Sequence, residues 1–415
     1  MPQTPRRQKT ATIAWVIWFL TALFYFYEYI LRSAPSVMLP QLERHFHISS
    51  ADLGVLLGAY YYSYAPLQLV AGALVDRFGA KRVVPFAAIL CGVGALLFIV
   101  GNFYLAGLGR LLMGAGSGFA FIGVTYVATT WIAKRHHGFV IGATQMMGML
   151  GGIVGEATLA PMLHHTAWQH IWVILAVAAF VLVLLLCLTI PKRPEYLTQL
   201  EHEQGGVLKN YKVVVKSPAV WLCGCIGGLL FIPTTIFAML WGVPFFMKAY
   251  HLTTEQAAVI NSTVMLGWVI GSPVAGFLAD RLGKRLVVMF VSNVLVLILF
   301  VLLAYTQWFD RELVMIMMGL MGFFSGAQIL CFAIAKDANP EYAKASVIGG
   351  TNFLVFIWAA ILTPLSGVIL QWVHHGALAT YSLSEYRYAL ILVVACLLLS
   401  LLLILALKRF SYYSS

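Results

Sequence analysis

Charge is what this 415-residue sequence has least of: Asp, Glu, Lys and Arg together supply 10% of it, while 61% is hydrophobic. A soluble domain carries roughly 25% charged residues. A water-soluble globule is therefore excluded, and lipid must act as part of the solvent. Cysteine is also sparse. Its six copies, Cys91, Cys187, Cys223, Cys225, Cys331 and Cys396, all sit in apolar runs and read as small hydrophobes. Cys223 and Cys225 are too closely spaced for a CxxC metal or redox pair, so no metal site is expected. There is no GxxxxGK[ST] loop, no HExxH and no GxSxG, which argues against ATP as driving force and against an integral-membrane enzyme. Alternating segments of roughly ten residues, the mark of a membrane barrel, are absent. No cleavable signal peptide is seen, because the apolar run behind the basic Met1–Thr10 is too long for one.

What is present is a series of apolar runs, each close to the roughly 20 residues a helical span needs. Twelve spans are expected, at 13–39, 52–75, 83–101, 103–132, 139–163, 170–190, 218–248, 255–279, 286–305, 312–335, 345–373 and 386–408. The net charge of +11 would suggest nucleic acid in a soluble chain. Here most of the 26 Lys and Arg fall in the termini and alternate loops, which is the positive-inside asymmetry. The expectation is an inner-membrane protein with both termini in the cytoplasm and no nucleic-acid partner. Pro191–Ser217 is the longest polar stretch and reads as a cytoplasmic linker loop, dividing the chain into 1–190 and 218–415.

The two parts repeat. Gly72-Ala-Leu-Val-Asp76-Arg77-Phe-Gly79-Ala-Lys81-Arg82 recurs as Gly276-Phe-Leu-Ala-Asp280-Arg281-Leu-Gly283-Lys284-Arg285. Upstream, Ile48-Ser-Ser-Ala-Asp52 answers Leu252-Thr-Thr-Glu-Gln256, and each opens a helix with good capping residues. Pro40 answers Pro244, and Ile141-Gly-Ala-Thr-Gln145 answers Ile348-Gly-Gly-Thr-Asn352. A repeat of this length marks a parallel-repeat architecture. The Gly72–Arg82 segment and its second copy resemble the loop 2–3 signature of the major facilitator superfamily, G-x-x-x-D-R-x-G-x-K/R-R/K. The resemblance implies an all-α integral membrane fold of two six-helix bundles. It also implies secondary transport by alternating access, with an ion gradient, protons above all, instead of a bound cofactor. A monomer and a small-molecule substrate are expected. The glycines of the motif are expected to let two helices approach closely at the cytoplasmic rim, and Asp76 to latch the outward-facing state.

Helix 1 carries the sharpest chemical pattern. Tyr25, Glu28, Tyr29, Arg32 and Ser36 share one helical face, and charges inside a span usually face a cavity or a partner. Tyr29–Pro40 is similar to helix 1 of organophosphate antiporters and anion:cation symporters, where an arginine in the place of Arg32 holds an anionic substrate. Those antiporters pair it with a helix 7 arginine, and Pro233–Gly242 has no base. A single carboxylate, or a zwitterion also using Glu28, fits better than phosphate. The alternative is a self-neutralised Glu28–Arg32 pair with a structural role. Arg110, followed by Gly114 and Gly116, resembles the family's helix 4 signature R-x-x-x-G-x-G, which implies a cavity or coupling role; a snorkelling arginine is the other reading.

Glu156 is the second candidate for proton coupling, after Glu28. Gln145, Asn352 and Trp358 are candidate substrate contacts, among cavity candidates that include Tyr60, Tyr61, Tyr62, Tyr64, Trp241, Asn261 and Gln328. The doublets His164-His165 and His374-His375 read mainly as interfacial histidines. The expected cargo is a small organic anion or zwitterion. A drug or siderophore exporter of the same fold is the rival, and it predicts indifference to Arg32.

Overall fold

A computed structural model describes residues 5–133, 137–191, 207–307, 309–340, 343–374 and 381–412. In the first half, α1 (Pro5–Ser33) ends in a tight turn, Ala34–Val37, and a short helix, α2 (Leu39–Phe46). Then come α3 (Ser50–Phe78), α4 (Ala80–Phe98) and a broken span made of α5 (Phe103–Ser117) and α6 (Ala120–Trp131). Next, α7 (His137–Ile153) passes through a π-helical turn, Val154–Thr158, into α8 (Leu159–Met162), and α9 (Trp168–Thr189) closes the half. The second half opens with α10 (Val207–Lys216) and α11 (Pro218–Ile232). A π-helical segment, Pro233–Trp241, leads to α12 (Gly242–Tyr250). It continues with α13 (Thr254–Leu282), α14 (Arg285–Tyr305), the broken span α15 (Arg311–Ser325) and α16 (Ile329–Asp337), α17 (Lys344–Val373) and α18 (Leu383–Tyr412).

Ten of these segments are long and apolar enough to cross a membrane. The remaining two, α3 and α7–α8, pack against α17 and against α1. Four tyrosines between positions 60 and 64 lower the hydropathy of α3. The twelve spans expected are thus all helical, and the architecture is two six-helix bundles. Outer faces are apolar: on α9, Ile174, Val177, Val181, Leu184 and Leu188 form an exposed stripe, while Ile171, Trp172, Leu175, Ala179, Leu182 and Leu186 are buried. A helix with oil on both faces is stable only where lipid covers one of them.

The halves repeat in detail. Ser49 and Thr253 each begin a span with a reciprocal capping box, closed by Asp52 and Gln256. The residues ahead of them, His47 and His251, both take left-handed backbone, with φ of 53° and 52°. A Cβ on Gly114 would stand 1.9 Å from the Tyr60 carbonyl oxygen, and one on Gly322 would stand 1.9 Å from that of Val264. Glycine is required at both places because the crossing helices touch backbone to backbone.

An even number of spans puts Pro5 and Tyr412 at one end of the bundle, the terminal end; α2 and the start of α18 lie at the far end. The halves meet along α3 and α17, and along α7 and α13. At the far end Ser50 Oγ donates to Gly367 O at 3.0 Å. Further in, Gly54 and Gly58 lie against Thr363 and Pro364. Asn352 Nδ2 donates to Gln68 Oε1 at 2.9 Å.

Two expectations need correction. The linker is not all loop: Val207–Lys216 is an amphipathic helix, with Val214 buried against Gly350, while Lys209, Lys212 and Lys216 share one helical face. The close helix approach expected at Gly72 and Gly276 is also not made, since among the described residues nothing lies within 4 Å of a Cβ placed on either. Toward the far end, Gly54, Gly58 and Gly367 are small residues that meet across α3 and α17.

Candidate functional site

The last two turns of α1 bring Glu28 and Arg32 onto one face, both fully buried. Arg32 Nη2 donates to both Glu28 oxygens, at 3.0 and 2.9 Å, and Tyr60 OH donates to Oε2 at 2.8 Å. The Arg32 guanidinium is boxed by rings: its carbon stands 4.5 Å from the centre of Tyr29, 4.8 Å from Tyr64 and 5.2 Å from Phe356. Ring faces attract a desolvated cation. Phe356 is on α17, so the second half closes the box.

Arg110 does not snorkel. It is 2% exposed, its Nη1 donates to Leu31 O at 2.9 Å, and its guanidinium lies 4.9 Å from the centre of Tyr60. Arg32 and Arg110 line one narrow cleft with Tyr61, Thr235, Met239 and Thr363, and its free volume is only about 10 Å³. Nε and Nη1 of Arg32, Nε of Arg110 and Oγ1 of Thr363 are buried without a hydrogen bond. The charges do not balance: two guanidinium groups face one carboxylate, and no acid pairs with Arg110 among the described residues. An unmatched buried charge is costly, and unpaired N–H groups around it are what an anionic head can satisfy. The opposite wall comes from the π-helical segment Pro233–Trp241, whose wide turn carries Thr235 and Met239 and no base.

Glu156 sits on the other π-helical turn, fully buried. Its Oε2 accepts from Asn261 Nδ2 at 2.7 Å, and that amide also donates to Ala238 O at 2.6 Å. Through Asn261 the carboxyl thus ties the end of α7 to α13 and to the π-helical segment Pro233–Trp241, and so joins the halves. Its Oε1 is buried without a hydrogen bond. π-turns recur at functional sites because they widen a helix and free backbone groups.

Other candidates fall elsewhere. Tyr25 OH donates to Gln145 Oε1 at 3.3 Å, two turns of α1 before Arg32. Asn352 pairs with Gln68, and Trp358 packs over Gly228 within the second half. Tyr62 is 43% exposed on the outer face of α3. Trp241 Nε1 is held by Ser366 Oγ at 2.9 Å. In the repeated loop motif, Gly79 and Gly283 end their helices with φ of 76° and 64°. Lys81 Nζ donates to Ile190 O at 3.0 Å, tying α4 to the end of α9. Arg77 and Arg82 are exposed, as is Arg281, and the Asp76 side chain lies outside the described residues. In the second copy Arg285 joins Asp280 at 3.5 Å to Asp337 at 2.5 Å. The described contacts of both motifs therefore stay within one half. His164 meets the Glu255 carboxylate across the halves, and His374 Nδ1 stands 3.2 Å from Glu385 Oε1; His375 lies outside the described residues.

The model of the family described as Major Facilitator Superfamily matches residues 17–361 and 227–411. The chain belongs to the major facilitator superfamily. It is 24% identical over 280 residues to the "Probable sulfoacetate transporter SauU" of Cupriavidus necator, a match covering 63% of this chain and 64% of that one. It is 25% identical over 395 residues to the mouse "Lysosomal dipeptide transporter MFSD1", covering 90% and 83%. Among solved structures, a bacterial homolog of the human lysosomal transporter Spinster, inward-facing, superposes with a TM-score of 0.77 at 14% identity over 98% of both chains. As a member of this superfamily the chain is a multi-pass membrane transporter and not an enzyme.

Sequence reasoning missed three members of this facilitator's polar interior: Phe356 as a wall of the Arg32 box, Thr363 in the cleft, and a buried acid, Glu43. Only Glu43 left a signal. Leu39, Leu42, Glu43 and Phe46 recur at helical spacing inside a stretch polar enough to pass for loop.

Proposed function

We propose that this transporter carries a small organic anion or zwitterion with a carboxylate or sulfonate head, held by Arg32 and Arg110. The observation that carries the reading is the buried excess of one positive charge in a cleft with unpaired N–H donors. An anion there completes both the charge and the hydrogen bonds. The head would be bound by the first half and the remainder of the molecule by the apolar, hydroxyl-bearing wall of the second. The names of SauU and MFSD1 support the class, since sulfoacetate and dipeptides both carry such heads. A cleft of about 10 Å³ has room for little more than a water, so loading requires the halves to move apart, which is alternating access.

Glu156 is our choice for the coupling proton, because it joins the two halves with one oxygen unpaired, whereas Glu28 is held by Arg32. The driving force is an ion gradient without a cofactor. The protein works as a monomer in the inner membrane, with the terminal end in the cytoplasm. The loop motifs secure each half's rim and exchange partners as the halves rock.

The test is a thermal-shift panel of carboxylates, sulfonates, dipeptides, phosphates, sugars and lipophilic cations on the purified protein, repeated with Arg32→Gln. Bound ligand raises apparent stability. Carboxylates or sulfonates should stabilise the wild type and not the variant. Equal stabilisation of both proteins by cations or apolar drugs would replace this reading with the exporter. Proteoliposome uptake of each hit under a pH gradient should then be lost with Glu156→Gln; uptake indifferent to pH would remove the proton.

A further inference from the structure

A second buried acid lies outside the cleft. Glu43 projects from the inner face of α2, where Leu39 and Leu42 are also buried, and is 2% exposed. A buried carboxyl is costly unless paired or protonated. Its partner comes from the other half: Tyr381 OH, just ahead of α18, donates to Glu43 Oε1 at 2.9 Å. The Tyr381 ring stands edge-on to His374 at 4.6 Å and to Tyr386 at 5.9 Å. His374 is engaged by Glu385, which also accepts from the Ser382 amide at 2.6 Å. Among the described residues, these are the titratable groups that face Glu43 from the second half. On its own helix, Arg44 and the adjoining His47 are exposed, and His45 turns its ring toward Trp168 at 5.2 Å. On α3, Asp52 is occupied in its own capping box. No Lys or Arg pairs with Glu43 among the described residues. A carboxyl from one half is therefore sealed by a hydroxyl from the other, with no Lys or Arg among the described residues paired to it, at the point where the far end closes.

We propose that Glu43 binds a proton when the far end closes and releases it when that end opens. Burial pushes the Glu43 carboxyl up to about 7, with the Tyr381 hydroxyl and the nearby His374 opposing the rise. Once the halves part, water reaches the group, and it returns toward the ordinary glutamate value of about 4.3. The closed form thus holds the extra proton between those two values. Closure is favoured most below about 4.3, weakens by up to about tenfold per pH unit as pH rises toward 7, and levels off above it. The proposal rests on the transport reading only in that the halves separate at this end.

The experiment is a spin–spin distance measurement on the full chain in lipid nanodiscs without substrate. Labels go on Gln41→Cys and Ser384→Cys, both exposed at the far end, with Cys187 and Cys225 changed to alanine. Raising the pH from 5.5 to 8.5 should increase the long-distance population severalfold in the parent. With Glu43→Gln, which mimics the protonated acid, it should stay short at every pH. His374→Gln should keep the response. A pH-independent parent, a response that survives Glu43→Gln, or one that vanishes with His374→Gln alone would each overturn the proposal. The thermal midpoint of Glu43→Gln checks that it folds, and it should match or exceed the parent's at pH 8.5. Failure of the anion panel would sink the substrate reading and leave this result standing.

Discussion

The two halves share a frame and differ in what they carry inside it. Capping boxes at Ser49 and Thr253, left-handed histidines at 47 and 251, and glycine crossings at 114 and 322 are the same device used twice. Yet Glu28, Arg32, Arg110, Glu43 and Glu156 all lie in the first half. Facing them, the second half offers Thr235, Met239, Phe356, Thr363, Tyr381 and Asn261. Duplication preserved what makes a span stand and cross its neighbour. The ionisable groups were free to gather on one side, because a binding cleft needs one charged wall and one compliant wall.

That asymmetry can be broken most severely at Glu28. Glu28→Gln leaves two guanidinium groups without a buried counter-charge, and loss of such a partner costs about 3–5 kcal/mol. The unfolding midpoint should fall, and a binding anion should recover more stability in the variant than in the wild type. Equal midpoints would mean that the Glu28–Arg32 pair is not what balances the site. Next in size is the contrast between walls. Arg110→Gln should weaken anion binding by about tenfold to a hundredfold, on the scale of a charged hydrogen bond at about 1.5–3 kcal/mol. Thr235→Val should weaken it about threefold and shift preference among anions of different tail. Titration calorimetry on one hit decides this, and equal losses would show that the charged wall does not dominate anion binding. The smallest effect sharpens the shared frame. Ser49→Ala and Thr253→Ala should each cost about 0.5–1 kcal/mol, with nearly equal shifts in thermal midpoint. A large difference would show that one cap is engaged by something outside its own helix.

Much of this was legible in the sequence. Spans follow from apolar length, the repeat from its motif, and the caps from Ser-Ser-Ala-Asp and Thr-Thr-Glu-Gln. Arg32 announced itself because a charge within a span has few places to go. The pairing of polar residues was not legible. Asn261 and Asn352 look alike in the sequence, yet one holds Glu156 and the other Gln68, because the partner is set by where two helices cross. Glu43 was hidden for a different reason: its helix is only eight residues long, and the spacing of Leu39, Leu42 and Phe46 sits in a stretch polar enough to pass for loop.

The seam where Gly54 and Gly58 receive Pro364 bears on speed. At that level the contacting surfaces are a proline ring and bare backbone, so sliding there breaks no strong bond; the polar ties across α3 and α17 sit above and below it, at Ser50 and at Gln68. Such a seam is a low-friction bearing. The barrier to turnover would then be concentrated in a few fasteners at the two rims, and a single side chain added at Gly54 or Gly58 should slow the carrier while leaving its affinity for cargo nearly intact.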